Sequence, residues 1–259
     1  NSQPIDENLR YGEEYTDEKV TTFFHFKEDE SFENAVHMCT GVGECRKLGM
    51  GTMCPSFKGT RDEEHSTRGR ANLLRLAISG QLNEHGLVNN RVVEALDLCL
   101  SCKACKSECP SNVDMAKLKS EVWQKKYDAN GVSLRDRFIH SSSSLAKLFC
   151  GPLAPIVNAI QSSRPFRMVL DKTIGIDKKR ILPHYEKRSF KSWFNQNYQN
   201  EGSHKEVVLF ADTYLNFHES SIGKSATNVL SKLGYAVLLA DVGCCQRPRL
   251  SQGFLRSAK

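Results

Sequence analysis

Apolar residues recur along this chain with two different periods, and the switch between them divides it. From Ser66-Thr67 onward, Leu73, Leu74, Ala77 and Ile78 fall at the three- and four-residue spacing of a single helix face. Ser66 or Thr67 suits the N-cap, where a hydroxyl accepts a free backbone N–H, and Gly80 suits the stop. The same spacing predicts a helix over residues 92–98. Another starts near Asp114 and runs through Met115, Leu118, Val122 and Trp123 to about Tyr127. Asn130-Gly131 interrupts the pattern, and Ser133 or Asp136 begins a further helical region. Leu145, Leu148, Leu153, Ile156, Val157 and Ile160 predict an apolar helical hairpin broken at Gly151-Pro152, with Cys150 inside it as a small buried hydrophobe. Residues 161–203 carry little pattern, and Trp193 and Phe194 are their clear anchors.

From Glu206 the period shortens. Val207-Val208-Leu209-Phe210 and residues 235–240 read as short apolar strands, joined by an amphipathic helix over residues 218–233 that ends at Gly234. Strand, helix and strand in that order predict a parallel pair. Gly223-Lys224-Ser225 fails as a phosphate loop, because His218 replaces the glycine required five residues earlier and the tripeptide lies inside the helix. At the other end, residues 1–36 are polar and acidic, with Tyr11, Tyr15, Phe23, Phe24 and Phe26 scattered among them. That is the pattern of a linker laid across a surface with its aromatics as pins.

Cysteines change this picture. Of the ten in the chain, seven sit in two clusters between Met38 and Pro110. The second cluster joins Cys99, Cys102, Cys105 and Cys109-Pro110 in the C-x-x-C-x-x-C-x-x-x-C-P spacing. This spacing holds a cubane iron–sulfur cluster and lends its last cysteine to a neighbouring one. Two-residue gaps let the backbone curl around an inorganic core and aim three thiolates at three iron corners. Zinc ribbons also use C-x-x-C pairs, but four cysteines this dense, ending in Cys-Pro, favour iron.

The first cluster is an altered copy. Cys39 matches Cys99, Cys45 matches Cys105, Cys54-Pro55 matches Cys109-Pro110, and Val42 stands where Cys102 would be. The repeat predicts two half-sites related by a pseudo-twofold axis. With the last cysteines exchanged, Cys99, Cys102, Cys105 and Cys54 hold a [4Fe-4S] cluster, while Cys39, Cys45 and Cys109 supply only three thiolates. The second cluster is then either [3Fe-4S] or a labile [4Fe-4S] with water or another ligand in the fourth place. His65 and Glu44 are the non-thiolate candidates. A C-x5-C gap with an aliphatic residue inside it also resembles the three-iron site of succinate dehydrogenase iron–sulfur subunits.

Arg68 and Arg70 lie within a turn or so of the Ser66-Thr67 cap, either as donors to cluster sulfides or to the acids of a partner domain, or as surface residues. Lys103, Lys106 and Arg46 would raise a cluster's potential if they face it. Cys244 and Cys245 follow the second strand, where an α/β sheet presents ligands, and form a further candidate metal site. Two thiols alone cannot hold a cluster. No residue is assigned a catalytic role.

Composition bounds the rest. A chain of 259 residues is long enough for two modest domains, and no stretch approaches the roughly 20 apolar residues that cross a bilayer. Cysteines gathered in C-x-x-C clusters argue for metal in a reducing compartment, with the cytoplasm as the default. The net charge of +6 hides an asymmetry. Residues 1–35 carry ten acids against three bases, and residues 135–191 carry twelve Lys or Arg against four acids. The basic stretch suits a solvated face, an acidic partner, or peripheral contact with an anionic membrane at its inner face. Nucleic acid is a poor third as a partner, and none is expected, because the basic run has few interleaved aromatics and no finger or helix-turn-helix pattern accompanies it. The expected fold is mainly α: an acidic linker over 1–35, an alpha-helical dicluster ferredoxin domain over 36–130, a basic helical connector over 131–203, and a truncated α/β (βαβ) cysteine-rich domain over 204–259.

The residues Cys39–Lys47, Met53–Ser56, Arg61–Ala71 and Ala95–Met115 resemble the iron–sulfur C-terminal half of bacterial FAD-linked D-2-hydroxy-acid dehydrogenases (D-lactate, D-2-hydroxyglutarate and glycolate oxidase-like proteins). The cysteine-rich region is also similar to one subunit of anaerobic glycerol-3-phosphate dehydrogenase. The last segment is similar to the CCG domain of heterodisulfide reductase subunits, with Gln246 in place of that motif's glycine and Asp212 near the place of an upstream cysteine. The resemblance implies an FAD-binding flavin domain before Asn1, fused or separate, that oxidises the hydroxy acid. It implies that the clusters pass electrons to a quinone, cytochrome or flavoprotein acceptor. It leaves open a separate iron–sulfur subunit of a glycerol-3-phosphate dehydrogenase-like complex. A metal-binding redox sensor is the reading from a different class.

Overall fold

Ser31, Ser66, Asn89, Asp114, Ser133, Ser189 and Asp212 each cap the helix that follows, the side chain accepting a backbone N–H of its first turn. A computed structural model describes residues 4, 7, 15–82, 86–199 and 205–259. The described residues up to Gly131, together with Arg249–Lys259, form one unit, and Val132–Pro248 form a second.

The first unit contains α1 (Phe32–His37), α2 (Pro55–Thr60), α3 (Thr67–Ile78), α4 (Asn90–Asp97), α5 (Ala104–Glu108) and α6 (Met115–Asn130). Ser66 caps α3 by accepting the Gly69 N–H at 2.9 Å. Asn89 caps α4, and Asp114 caps α6. The face of α3 read from the sequence is the buried one: Leu73, Leu74, Ala77 and Ile78 are all inside. Removing each such side chain from water contributes about 1.5–3 kcal/mol for the larger ones. α6 is buried on most of its circumference, including the polar Lys119, Ser120, Glu121 and Gln124.

The stretch expected to be a linker is built into this unit from Tyr15 onward. Phe32 and Val36 of α1 are wholly inside, and Phe26 meets Phe32 edge-to-face at 5.7 Å. The Glu121 carboxylate accepts the N–H groups of Phe23 and Phe24 at 2.7–3.1 Å. Acidic neighbours such as Glu33 masked the helical spacing of Phe32, Ala35 and Val36 in the sequence. Tyr11, with Asp6, Arg10, Glu13 and Glu14, lies outside the described residues. The C-terminal segment belongs here too. Phe254 stacks on Tyr127 at 4.6 Å, and a Cβ on Gly253 would stand 2.2 Å from that of Trp123, so glycine permits the close approach. Residues 204–259, expected as one domain, are therefore split by the docking of 249–259 on α6.

The second unit contains α7 (Leu134–His140), α8 (Ser142–Phe149), α9 (Ala154–Ser162), α10 (Arg164–Ile174), α11 (Phe190–Asn197), β1 (Lys205–Leu209), α12 (Thr213–Phe217), α13 (Ser220–Lys232) and β2 (Tyr235–Leu239). The two strands pair in parallel with Val207 opposite Val237, as the strand–helix–strand order predicts. Their core is Phe190, Phe194, Ala211 and Val237. Phe190, not Trp193, is the wholly buried anchor of α11. Gly223 is required sterically, since a Cβ there would meet the Phe190 ring at 2.6 Å. The apolar stretch forms two helices, α8 and α9, broken at Gly151-Pro152 as expected, but Leu148, Leu153, Ile156 and Ile160 are exposed. Cys150 is half-buried.

Candidate metal centre

Two adjoining loops of the first unit wrap two cavities, and the cysteines divide between them. The first cavity is lined by Cys54, Cys99, Cys102 and Cys105. The second is lined by Cys39, Cys45 and Cys109, with Val42 on its wall. Cys54 therefore stands with the second repeat and Cys109 with the first. None of the seven is in a disulfide. Cys54 and Cys105 are buried, Cys99 is half-buried, and Cys102 is exposed at the mouth.

The backbone bends to make this possible. Ser101 and Lys103, alternating between cysteines, adopt left-handed φ angles of 51° and 61°. For residues with a Cβ this costs about 1–3 kcal/mol each and is held by the surrounding fold, as ligand clamps often are. A clamp the sequence did not reveal joins the repeats. The carboxylate of Glu108, next to Cys109, accepts the N–H groups of Thr52 and Met53 at 2.9–3.0 Å and bonds the Thr52 hydroxyl. These donors lie next to Cys54, so one side chain fixes both exchanged cysteines. The Thr52 hydroxyl and these N–H groups hold Glu108 at a pKa of about 2. Thr40 and Ser111 add a second link, Oγ1 to Oγ at 2.9 Å.

Around the first cavity, Arg70 is wholly buried. Its guanidinium donates to the Ala95 carbonyl at 2.7 Å, to Ser56 Oγ at 2.9 Å, and to Cys54 Sγ at 3.5 Å. Lys119, 7% exposed, donates to the carbonyls of Cys99 at 2.7 Å and Asp97 at 3.3 Å, and lies over the Trp123 ring. Burial pushes the Cys105 thiol up to about 12. Burial works upward on Cys54 as well, but the Ser56 hydroxyl and the Arg70 guanidinium outweigh it and hold that thiol below its usual range. Around the second cavity, burial raises Cys45, whose Sγ accepts the Arg68 N–H at 3.4 Å. The Arg68 side chain turns to Glu63 at 2.7 Å and to the Gly41 carbonyl at 3.2 Å.

The donor set fits iron–sulfur clusters. Thiols outside any disulfide ring each space, and Ser101 Oγ is buried on the wall of the first cavity without a hydrogen-bond partner, as a donor to a bound sulfur ligand would be. Among the described residues, no three His, Cys, Asp or Glu side chains gather closely enough for a single metal ion. The thiols surround volumes rather than points.

Other sequence candidates fall elsewhere. Lys103 pairs with Asp114, Lys106 with Glu28, and Arg46 with Glu63, so none of these charges is aimed unpaired at a cavity. His65 meets Thr60 and does not line the second cavity, whereas Glu44 does line it while pairing with Lys47. In the second unit, Cys244 Sγ accepts the Thr213 hydroxyl at 3.1 Å and Cys245 is exposed. Asp212 caps α12. Sequence reasoning missed Lys119 and Glu108.

Residues 38–114 match the family described as a 4Fe-4S dicluster domain. The chain is 32% identical over 152 residues to a subunit of anaerobic glycerol-3-phosphate dehydrogenase from Escherichia coli (strain K12), covering 58% of this chain and 38% of that protein. It is 24% identical over 267 residues to D-2-hydroxyglutarate dehydrogenase of Pseudomonas putida, covering 87% of this chain and 26% of that one. The chain thus spans well under half the length of the curated relatives it matches. No solved structure gives a significant match.

Proposed function

We propose that this chain is the iron–sulfur electron-transfer module of an FAD-linked D-2-hydroxy-acid dehydrogenase. In this reading Cys54, Cys99, Cys102 and Cys105 hold a [4Fe-4S] cluster, and Cys39, Cys45 and Cys109 hold a second that is a thiolate short. The observation that carries it is the exchange of Cys54 and Cys109 between two adjoining cavities, the arrangement of paired clusters that share a polypeptide. Bound clusters would supply one-electron steps between a two-electron flavin donor and an acceptor. The chain's own residues hold the thiols, keep Cys54 and Cys105 dry, and clamp the two loops through Glu108. The D-2-hydroxyglutarate dehydrogenase relatives support a hydroxy acid as electron source, because they align over most of this chain. A quinone, cytochrome or flavoprotein would take the electrons.

Protein purified without oxygen should be brown, contain acid-labile sulfide, and give EPR signals from two centres. Colourless, zinc-loaded protein would replace this reading with that of a structural metal protein. A second reading, a separate subunit serving a flavoprotein of the glycerol-3-phosphate dehydrogenase type, is favoured by the higher identity of that relative. The reading frame upstream of Asn1 discriminates the two. No described helix is long and apolar enough to cross a membrane. The exposed Leu148, Ile156 and Ile160, together with the basic 135–191 stretch, support peripheral contact with an anionic bilayer. Sedimentation with anionic against neutral vesicles tests that contact.

A further inference from the structure

Arg70 and Lys119 are two cations buried beside the four-thiol cavity. Among the described residues neither forms an ion pair. Their partners are carbonyls, a hydroxyl, a thiol and an aromatic ring. Both reach that cavity's own cysteines: Arg70 the sulfur of Cys54, Lys119 the carbonyl of Cys99. A buried charge is costly unless it is compensated, and two of like sign close enough to repel cost more. The second cavity is built differently on its wall, where Arg68 is matched by Glu63, although a buried Arg75 donates to the Cys39 carbonyl at 3.3 Å from behind it.

We propose that Arg70 and Lys119 are the fixed counter-charge of the four-thiolate cluster and set its reduction potential. The proposal rests on the dicluster reading above. Four thiolates outweigh the positive charge of a cubane core, so the assembly is anionic and gains one more negative charge on taking an electron from the donor. Buried cations a few ångströms away favour that extra charge in a medium where they are little screened. They therefore make the reduced state easier to reach. They are positioning residues: neither ligates iron, and each acts through the field it places on the thiolates.

The test uses the whole chain, reconstituted with iron and sulfide, with EPR-monitored redox titration and iron content as readouts. Lys119→Met removes the charge and keeps the stem against Trp123, while Lys119→Arg keeps the charge. Arg70→Met and Arg70→Lys form the parallel pair. In each charge-free variant the reduced fraction of the four-thiolate cluster at fixed potential should fall about tenfold, a downward shift of about 59 mV for a one-electron couple. The charge-keeping variants should stay near the parent, and the second cluster should not move. If a charge-free variant loads fully and titrates within about threefold of the parent, the proposal is overturned. Should Lys119→Met lose its cluster while Lys119→Arg keeps it, the counter-charge role is supported. Loss in both overturns it in favour of packing. Absence of reducible iron in the parent protein would instead defeat the dicluster reading, so the two failures are distinguishable.

Discussion

The two cavities share one repeated pattern and have been finished in different ways. One keeps all its thiols, has left-handed turns at Ser101 and Lys103 between them, and draws into the protein two cations that pair with no carboxylate among the described residues. The other has Val42 where a thiol would stand, takes its turns at Gly41 and Gly43, and matches the arginine on its wall, Arg68, with Glu63, while a buried Arg75 donates to the Cys39 carbonyl. The difference teaches that a repeat in sequence fixes where ligands meet, while the charge around each meeting place is set by residues outside the repeat. Arg70 comes from α3 and Lys119 from α6, neither of which carries a cysteine.

The comparison breaks most sharply at Cys102. Cys102→Ser should remove the cluster of the first cavity and lower iron to about half, leaving the EPR signal of the second intact. Loss of both signals would mean that the cavities do not hold separate centres. Glu108→Ala comes next. Because Glu108 fixes the segments beside both Cys54 and Cys109, both signals should weaken together, each by less than the first cavity loses in Cys102→Ser. An effect on one centre alone would show that the clamp serves a single loop. Val42→Cys should make the cavities alike, exchanging a three-iron signal of the oxidised protein for a four-iron signal that appears on reduction. An unchanged spectrum would mean that the side chain at position 42 does not reach the cluster.

The smallest effect lies in the unit that holds neither cavity. Burial lowers the pKa of His218 from its ordinary value of 6.5, with the His184 carbonyl, Glu219 and Glu186 opposing the shift. The unfolded chain then binds the proton more readily than the folded one. Stability conferred above about pH 6.5 is therefore lost as the pH falls through the folded value. Thermal melts between about pH 7.5 and 5.5 should show the second unit weakening, and His218→Gln should flatten that slope without altering iron content. A slope unchanged in His218→Gln would assign the pH dependence to other groups.

Much of this was legible in the residues. Cysteine spacing foretold which thiols share a cavity, because two-residue gaps and a trailing Cys-Pro constrain a short backbone strongly. The faces of α3 and α4 and the parallel strands followed from apolar period and caps. What could not be read depended on distance along the chain. Glu108 meets Thr52 from 56 positions away, and nothing local distinguishes it from a surface acid. Lys119 looks like a solvated lysine until α6 is seen to be covered on nearly every side. Lys103, Lys106 and Arg46, which lie beside cysteines in sequence, are taken up by nearby carboxylates. The apolar period of residues 145–160 correctly gave helices but not the side they bury, since a stripe reports that a surface is sticky without reporting what covers it.

The seating of Gly253 and Phe254 against Trp123 and Tyr127 has a consequence for the order of manufacture. During translation α6 emerges long before the residues that close over it, and all of residues 132–248 must be made in between. At ribosomal rates that delay is on the order of ten seconds. Until then a nascent chain stalled before position 249 would carry α6 with Trp123 and Tyr127 uncovered, while every residue that lines the thiol cavities had already been made.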